Sequence, residues 1–461
     1  MAETKTPQRA GLVRALGVSH ASAIVVGIII GSGIFLVPKR MMEATGSANV
    51  VLLAWVVGGL LSWFGALTYA ELGAMKPEAG GEYVYIRDAY GPTMGFLYAW
   101  TWFTIGKPAS IATVAAGLIR TLGDFRAFGF LKEEVISGRV PINGGHLVAI
   151  AIILLLSWLN YLGVKKAGEF QLFFTILKVG MVVAIILVCF ALGSGGTVNL
   201  RSEFAGATGG IAGFMAALIA ALWAYDGWNN LNMVAGEIKD PGRNIPIAMV
   251  FGISLVAALY ILTFAAVQWV LPAEAIAKAE RPAALAVEQA LGPMGAAVIS
   301  AGIALSMFVA MNGQILTGAR IPFAAARDGY FFDSVARVSE RYHTPGVALA
   351  FQAALTIALV VLGGAFEDLF NLAIYSEWLF YLIATSTIFY YRRRVGDADR
   401  PYRMKGYPLV PALFIAAATV LLYYSFVQNL RNSIWGTVVI LAGVPVFYLF
   451  ARRKKAGGSP A

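Results

Sequence analysis

Twelve apolar segments run through the chain, and they constrain its fold more than any other feature. A helix needs roughly 20 apolar residues to cross the hydrocarbon core of a bilayer. The sequence therefore predicts an all-α polytopic membrane protein with 12 transmembrane helices. The segments are Val18–Met41, Val50–Met75, Thr93–Leu118, Leu147–Val164, Phe170–Leu192, Ile211–Val234, Ile247–Leu271, Met294–Ala319, Val347–Leu362, Leu369–Tyr391, Leu409–Val427 and Trp435–Phe450.

Composition supports this fold class and argues against other chemistry. Of 461 residues, 59% are hydrophobic and 13% are charged, with a mean hydropathy of +0.73, whereas a soluble domain carries about 25% charged residues. The single cysteine, Cys189, excludes an intramolecular disulfide, and the three histidines are far apart, so no metal site and no cofactor are expected. The sequence has no phosphate-binding loop, nucleophile elbow or channel filter motif, and no catalytic residue is predicted.

The distribution of lysine and arginine predicts the orientation. With the N-terminus inside, 23 of the 35 basic residues fall in cytoplasmic segments, 10 fall on the opposite side and two lie within spans. Positive charge concentrates on the cytoplasmic side of membrane proteins. Both termini are therefore expected in the cytoplasm of a prokaryotic cell, with the protein in its inner (plasma) membrane.

Two of the segments are interrupted at matching positions. Span 1 contains Gly27–Gly33, and span 6 contains Trp223–Asn230, each about halfway along. Because five spans separate one unit from the next, the second unit enters the membrane from the opposite face, which predicts a five-plus-five inverted repeat with broken helices 1 and 6. The expected regions are the tail 1–17, the first repeat 18–193, the second repeat 194–391, two further helices in 392–451 and the tail 452–461.

Paired interruptions in two halves of a membrane protein indicate a substrate site near the bilayer midplane. An interrupted helix exposes N–H groups at one end, which suit a carboxylate, and C=O groups at the other, which suit an ammonium. An α-amino acid carries both groups. For Gly27 and Gly31 alone, the simpler interpretation is a small-residue face for helix packing. The pairing of spans 1 and 6 favours a substrate site.

Several motifs in chain order, from Gly31–Phe35 in span 1 to Trp223–Asn229 in span 6, resemble the amino acid–polyamine–organocation superfamily. This resemblance implies that the inverted repeat is of the LeuT type. The third span and the interruption in the sixth are similar to its L-type amino acid transporter branch, and the whole chain resembles bacterial serine/threonine and alanine–serine–cysteine exchangers. The motifs are Gly31-Ser32-Gly33-Ile34-Phe35, Tyr69-Ala70-Glu71-Leu72-Gly73, Pro77–Tyr83, Lys107-Pro108-Ala109-Ser110 and Trp223–Asn229.

The resemblance implies a role for particular residues. Ser32 and Gly33 would donate N–H groups to the substrate carboxylate. The carbonyls of Ile29, Ile30, Trp223 and Ala224 would receive its ammonium. Trp223 would also be an aromatic gate over the substrate, although an ordinary packing role is the alternative, and Asn229 would be a polar pocket or gating residue.

Four ionisable residues lie within spans, where charge is costly and a functional role is the default hypothesis: Lys107, Lys178, Asp226 and Glu377. By resemblance, Lys178 occupies the place of a bound sodium ion in sodium-coupled relatives, which predicts sodium-independent transport. Asp226 would narrow the pocket, accept from a substrate hydroxyl or cap a helix. Glu377 would titrate in proton coupling, act as a counter-ion for Lys107 or Lys178, or help to select the substrate. For Lys107, a structural role beside Pro108 is favoured.

Three functions remain open from the sequence. The leading hypothesis is a sodium-independent exchanger of small neutral L-amino acids that works by alternating access. The alternatives are a proton-coupled symporter, with Lys178 or Glu377 titrating, and a carrier of cationic amino acids or polyamines. Besides substrate and lipid, no nucleic-acid partner is expected. Because Cys189 lies within a span, no disulfide-linked accessory subunit is expected either.

Overall fold

The computed structural model describes residues 11–123, 125–138, 141–362, 366–396, 400–428 and 430–456. Parts of both expected tails, 1–17 and 452–461, lie outside these residues. Within the described chain, nine helices or joined helices are long and apolar enough to cross a membrane, and two shorter apolar helices, Gly210–Ala224 and Gly346–Leu362, accompany them. The architecture is helical, as the hydropathy pattern predicts.

The described part of the first half of the chain contains nine α-helices. They are α1 (Val18–Ile29), α2 (Gly33–Thr45), α3 (Ala48–Met75), α4 (Glu82–Tyr90), α5 (Pro92–Thr101), α6 (Lys107–Leu122), α7 (Gly144–Tyr161), α8 (Val164–Leu192) and α9 (Thr197–Leu200). A π-helical turn, Trp102–Gly106, joins α5 to α6, and a 3₁₀-helix covers Arg126–Lys132.

The second half contains ten more. They are α10 (Gly210–Ala224), α11 (Asn230–Met233), α12 (Pro241–Val270), α13 (Ala273–Lys278), α14 (Pro282–Gly318), α15 (Arg320–Arg327), α16 (Gly346–Leu362), α17 (Phe366–Arg394), α18 (Leu409–Gln428) and α19 (Leu430–Ala456). Short 3₁₀-helices cover Ala235–Glu237 and Asp333–Ala336.

Two local features depart from the hydropathy pattern. Strands β1 (Glu134–Ile136) and β2 (Ile142–Asn143) pair antiparallel between α6 and α7, where no strand is expected. Helix α14 begins at Pro282, well before the expected Met294, and bends at Gly292, whose φ is 75°. The residue after this bend is Pro293, which has no backbone N–H to donate within the helix. The expected apolar segment thus begins just after the bend, whereas the helix itself begins at Pro282.

Packing brings the two interrupted helices to the centre of the bundle. Helix α2 packs along α10, α1 packs against α8 and α12, and α14 packs against α6 and α8. Gly33, the first residue of α2, lies so close to α10 that a Cβ there would come within 2.7 Å of Ala224 Cα. The start of one half-helix and the end of another therefore meet.

Candidate functional site

The first interruption separates α1 from α2. Helix α1 ends at Ile29, and Ile30 leaves the helical conformation with φ −71° and ψ 76°. Helix α2 begins at Gly33, with Ser32 as its N-cap. The first N–H groups of a helix have no partner within the helix. The start of α2 therefore offers backbone donors and the positive end of a helix dipole.

The second interruption separates α10 from α11. Helix α10 ends at Ala224, and the chain resumes a short helix at Asn230. Gly227 has φ 116°, a conformation that a side chain would strain, and a Cβ there would meet Ile28 Cγ2 at 2.6 Å. The glycine thus allows the two interruptions to touch. The end of α10 presents carbonyl groups and the negative end of its dipole.

A cavity of about 30 Å³ lies between the two interruptions. A cavity needs roughly 10–15 Å³ to hold one water molecule, so this cavity is small. Among the predicted substrate residues, Ile29, Ser32, Gly33, Trp223, Ala224 and Asp226 line it, whereas Ile30 and Asn229 do not. The full lining is Ile28, Ile29, Gly31, Ser32, Gly33, Ser110, Thr113, Val114, Trp223, Ala224, Asp226, Ala310 and Gln314.

Several of the carbonyls expected to receive an ammonium already accept hydrogen bonds. Ile30 O accepts from Lys178 Nζ at 2.7 Å and from Ser306 Oγ at 2.8 Å. The hydroxyl of Tyr260 lies 2.7 Å from Ile29 O and 3.1 Å from Ala224 O, so it ties the two interruptions together. A carbonyl oxygen has two lone pairs. Ala224 O therefore keeps acceptor capacity, whereas Ile30 O is fully used.

Lys178, on α8, contacts the first interruption. Its side chain is buried, and Nζ donates to Gly27 O at 2.6 Å, Ile30 O at 2.7 Å and Ser306 O at 3.2 Å. An ammonium has three protons, and three carbonyls receive them. The side chain therefore joins α8 to the unwound end of α1 and to α14 by charge-assisted hydrogen bonds.

A group of charged side chains borders the cavity on the side of α17. Asp226 Oδ1 accepts from Tyr381 Oη at 2.6 Å, and the Glu377 carboxyl lies near that of Asp226. Lys107 lies near both carboxyls, with Nζ 4.6 Å from the ring centroid of Trp102.

Asn229 does not line the cavity and instead bonds to Glu82. The sequence named Glu82 only as part of the motif Pro77–Tyr83 and not as a candidate site residue. Asn229 Nδ2 donates to Glu82 Oε1 at 2.5 Å, and Tyr98 Oη donates to Glu82 Oε2 at 3.0 Å. Glu82 begins α4, outside the membrane-spanning helices, and is fully buried. Burial raises the pKa of Glu82 to about 7, because the charged form loses its hydration.

A buried ion pair lies on the face of the bundle that carries residues 11–17. Arg320 donates to both carboxylate oxygens of Glu237, at 2.7 and 3.1 Å, and both side chains are fully buried. The backbone N–H of Leu16 donates to Glu237 O at 3.0 Å. The segment before α1, the region after α11 and the start of α15 are thereby held together on this face.

Three polar residues of the cavity were not identified from the sequence: Ser110, Thr113 and Gln314. Ser110 and Thr113 are three residues apart on α6, and therefore on one helix face. Gln314 is one of several polar residues in the largely apolar α14, with Asn312 two residues before it. An uncharged polar residue inside an apolar span is a signal for such a site, although its direction depends on how the helix packs.

The described residues contain no cluster of His, Cys, Asp or Glu that could hold a metal ion. Cys189 is a free thiol buried on α8. The side chains that surround the cavity are hydroxyl, amide and carboxyl groups together with two helix ends. Groups of these kinds can bind a small polar molecule through hydrogen bonds and helix dipoles.

The sequence matches the model of the family described as amino acid permease over residues 16–449. It is 32% identical to the serine/threonine exchanger SteT of Bacillus subtilis, over 96% of this chain and 98% of that protein. It is 31% identical to the human cystine/glutamate transporter, over 96% of this chain and 86% of that one. The Asc-type amino acid transporter 1 of Mus musculus is 30% identical, over 96% and 82%.

The names of these relatives include different amino acids, so this degree of identity fixes the kind of molecule transported but not the substrate. The family match covers nearly the whole chain and agrees with its apolar helices. The chain is therefore an integral membrane transporter and not an enzyme, and it belongs to the amino acid permease family.

Proposed function

We propose that this chain is a secondary-active exchanger of small neutral L-amino acids, of the serine, threonine and alanine type. The observation that carries the proposal is the convergence of the two helix interruptions on one small cavity. The start of α2, at Ser32 and Gly33, would hold the carboxylate. The end of α10, at Trp223 and Ala224, would hold the ammonium.

The cavity size supports a small substrate. About 30 Å³ of space lies between Ser32 and Asp226, and Trp223 is only partly exposed at its edge. A large apolar side chain would need the surrounding helices to separate. Trp223 is proposed as the gate that moves when substrate enters.

Transport in the proposed mechanism is independent of sodium. Lys178 Nζ already supplies a cation to the carbonyls of Gly27, Ile30 and Ser306. A second cation at the same carbonyls would be repelled at short range. Lys178 therefore replaces a bound ion in holding α1 against α8 and α14.

The topology we propose follows from the same sequence features. Residues 18–193 and 194–391 would form two inverted five-helix repeats. Two further helices in 392–451 would follow them, which gives twelve crossings in total. The face that carries residues 11–17 and the Arg320–Glu237 pair would be cytoplasmic, as would both termini. The closed ion pair on that face supports a state in which the cavity is shut from the cytoplasm. Because Cys189 is buried, we expect no disulfide-linked subunit.

A second candidate function is proton-coupled symport. The proximity of the Asp226 and Glu377 carboxyls favours it, because two like charges at short range disfavour each other and one of the two groups would hold a proton beside the cavity. A carrier of cationic substrates is less well supported. Asp226 already accepts from Tyr381, and the cation Lys107 lies near both carboxyls.

The test is uptake of labelled L-serine into proteoliposomes that contain the purified protein. Three conditions are compared: empty vesicles, vesicles preloaded with unlabelled serine, and empty vesicles with an inward proton gradient. Uptake only into preloaded vesicles, unchanged when choline replaces sodium, is expected. Uptake driven by the proton gradient into empty vesicles would replace exchange by symport, and the absence of serine transport would overturn the substrate class.

A further inference from the structure

Three buried polar atoms of the cavity lining have no hydrogen-bond partner, and one of them, Ser32 Oγ, belongs to the start of α2 proposed for the carboxylate. The other two are Thr113 Oγ1 on α6 and Gln314 Oε1 on α14, with side chains that are 2% and 7% exposed. Buried polar groups are nearly always paired, because an unpaired one loses its hydration without compensation. Two such atoms lining one cavity indicate that a ligand completes their bonding.

Thr113 differs from the other threonines near it. Threonines in helices commonly donate to the carbonyl four residues earlier. Thr101, Thr104 and Thr121 do so, at 2.8, 2.7 and 2.9 Å. Thr113 does not, although it lies on the same helix as Thr121. Its hydroxyl is therefore left available toward the cavity.

The two atoms have complementary hydrogen-bonding capacity. The Thr113 hydroxyl is a donor as well as an acceptor, whereas Gln314 Oε1 is an acceptor only. An aliphatic hydroxyl needs one acceptor for its proton and one donor for its oxygen. Gln314 Oε1 and the Thr113 hydroxyl supply that pair.

The carboxyl of Asp226, at the edge of the same cavity, already accepts from Tyr381 Oη at 2.6 Å. It is therefore less available to a ligand than the two unpaired atoms. The polar pair belongs to α6 and α14 and not to the two helix ends proposed for the carboxylate and ammonium. The pair thus lies where the side chain of a bound amino acid would extend.

We propose that Thr113 and Gln314 form a side-chain subsite that selects amino acids with a hydroxyl group over apolar analogues of the same shape. The inference rests on the proposed function, because it assumes that an amino acid occupies the cavity. Threonine and valine are the natural test pair, since they differ by a hydroxyl in place of a methyl. An apolar analogue would leave both polar atoms unpaired, which a site built for a hydroxyl disfavours strongly.

The experiment measures how well unlabelled L-threonine and L-valine inhibit uptake of labelled L-alanine into preloaded proteoliposomes. The wild-type protein is expected to prefer threonine by at least about 10-fold, the value of one hydrogen bond near 1.4 kcal/mol. In Thr113→Val and in Gln314→Met, the preference is expected to fall below about 3-fold, a loss of about half or more of that free energy. The ratio is the readout, so a general loss of transport does not imitate the result.

Thr121→Val is the matched control. It removes a hydroxyl of the same helix, and that hydroxyl bonds to Gly117 O. Its preference for threonine should equal that of the wild type. Equal inhibition by threonine and valine in the wild type would overturn the subsite, even if neither variant could be purified. So would an unchanged preference in both variants. Failure of the wild type to exchange alanine or serine at all would instead refute the proposed function.

Discussion

Replacement of Gly33 by alanine tests the close contact between the two half-helices. A Cβ at this position would lie 2.7 Å from both Cα and Cβ of Ala224. Carbon atoms in contact are normally about 3.5–4.0 Å apart, so α2 and α10 must separate by about 1 Å. Overpacking of this kind costs about 1–3 kcal/mol, and here it also displaces the N–H groups proposed for the substrate carboxylate.

At about 1.4 kcal/mol per factor of ten, this strain predicts that Gly33→Ala lowers exchange of serine by roughly 10- to 100-fold. The assay is initial exchange into proteoliposomes at matched protein content, with the melting temperature in detergent recorded for each variant. Gly180→Ala is the control, since Gly180 lies on α8 with no neighbouring atom within 4 Å of its added Cβ. If Gly33→Ala exchanged serine as fast as Gly180→Ala, the argument from close contact would be refuted.

Three further predictions follow from the buried groups. Lys178→Met should reduce exchange at least 100-fold, because it removes charge-assisted bonds of about 1.5–3 kcal/mol each, whereas Lys166→Met, an exposed lysine of the same helix, should not. Trp223→Ala should change exchange kinetics while the melting temperature stays within a few degrees, and unaltered kinetics would mean that this side chain is not a gate. The pKa of Glu82 is raised to about 7 from an ordinary 4.5, so its contribution to stability is full below pH 4.5 and is lost as pH rises through about 7. The wild-type melting temperature should therefore fall from pH 5 to pH 8, by an amount equivalent to about 3 kcal/mol, and Glu82→Gln should flatten that profile.

The positions of the helix interruptions could be anticipated from the sequence because glycines mark them. Gly31 and Gly33 stand in an apolar segment, and α1 ends at Ile29; Gly227 stands in another, and α10 ends at Ala224. A charged residue in an apolar span is equally visible, which is why Lys178 and Asp226 could be singled out. These signals are local in the chain and need no knowledge of packing.

The partners of these groups could not be anticipated, because they depend on how distant helices rotate against each other. Tyr260 joins Ile29 and Ala224 from α12, and nothing near Tyr260 in the sequence indicates this contact. Asn229 was expected at the pocket, but it bonds to Glu82, 147 residues away. Gln314 faces the cavity only because α14 packs on α6 and α8.

The central claim is that substrate binds between the two interruptions, and protection of a cysteine from labelling tests it most directly. Replacing Cys189, the only cysteine, by alanine gives a background for Ser110→Cys, at a half-exposed residue of the cavity. Ser334→Cys, at an exposed residue outside the cavity, is the control. Saturating L-serine is predicted to slow reaction of a small thiol reagent at position 110 and not at position 334. Equal labelling with and without serine at position 110, in a protein that still exchanges serine, would contradict the account.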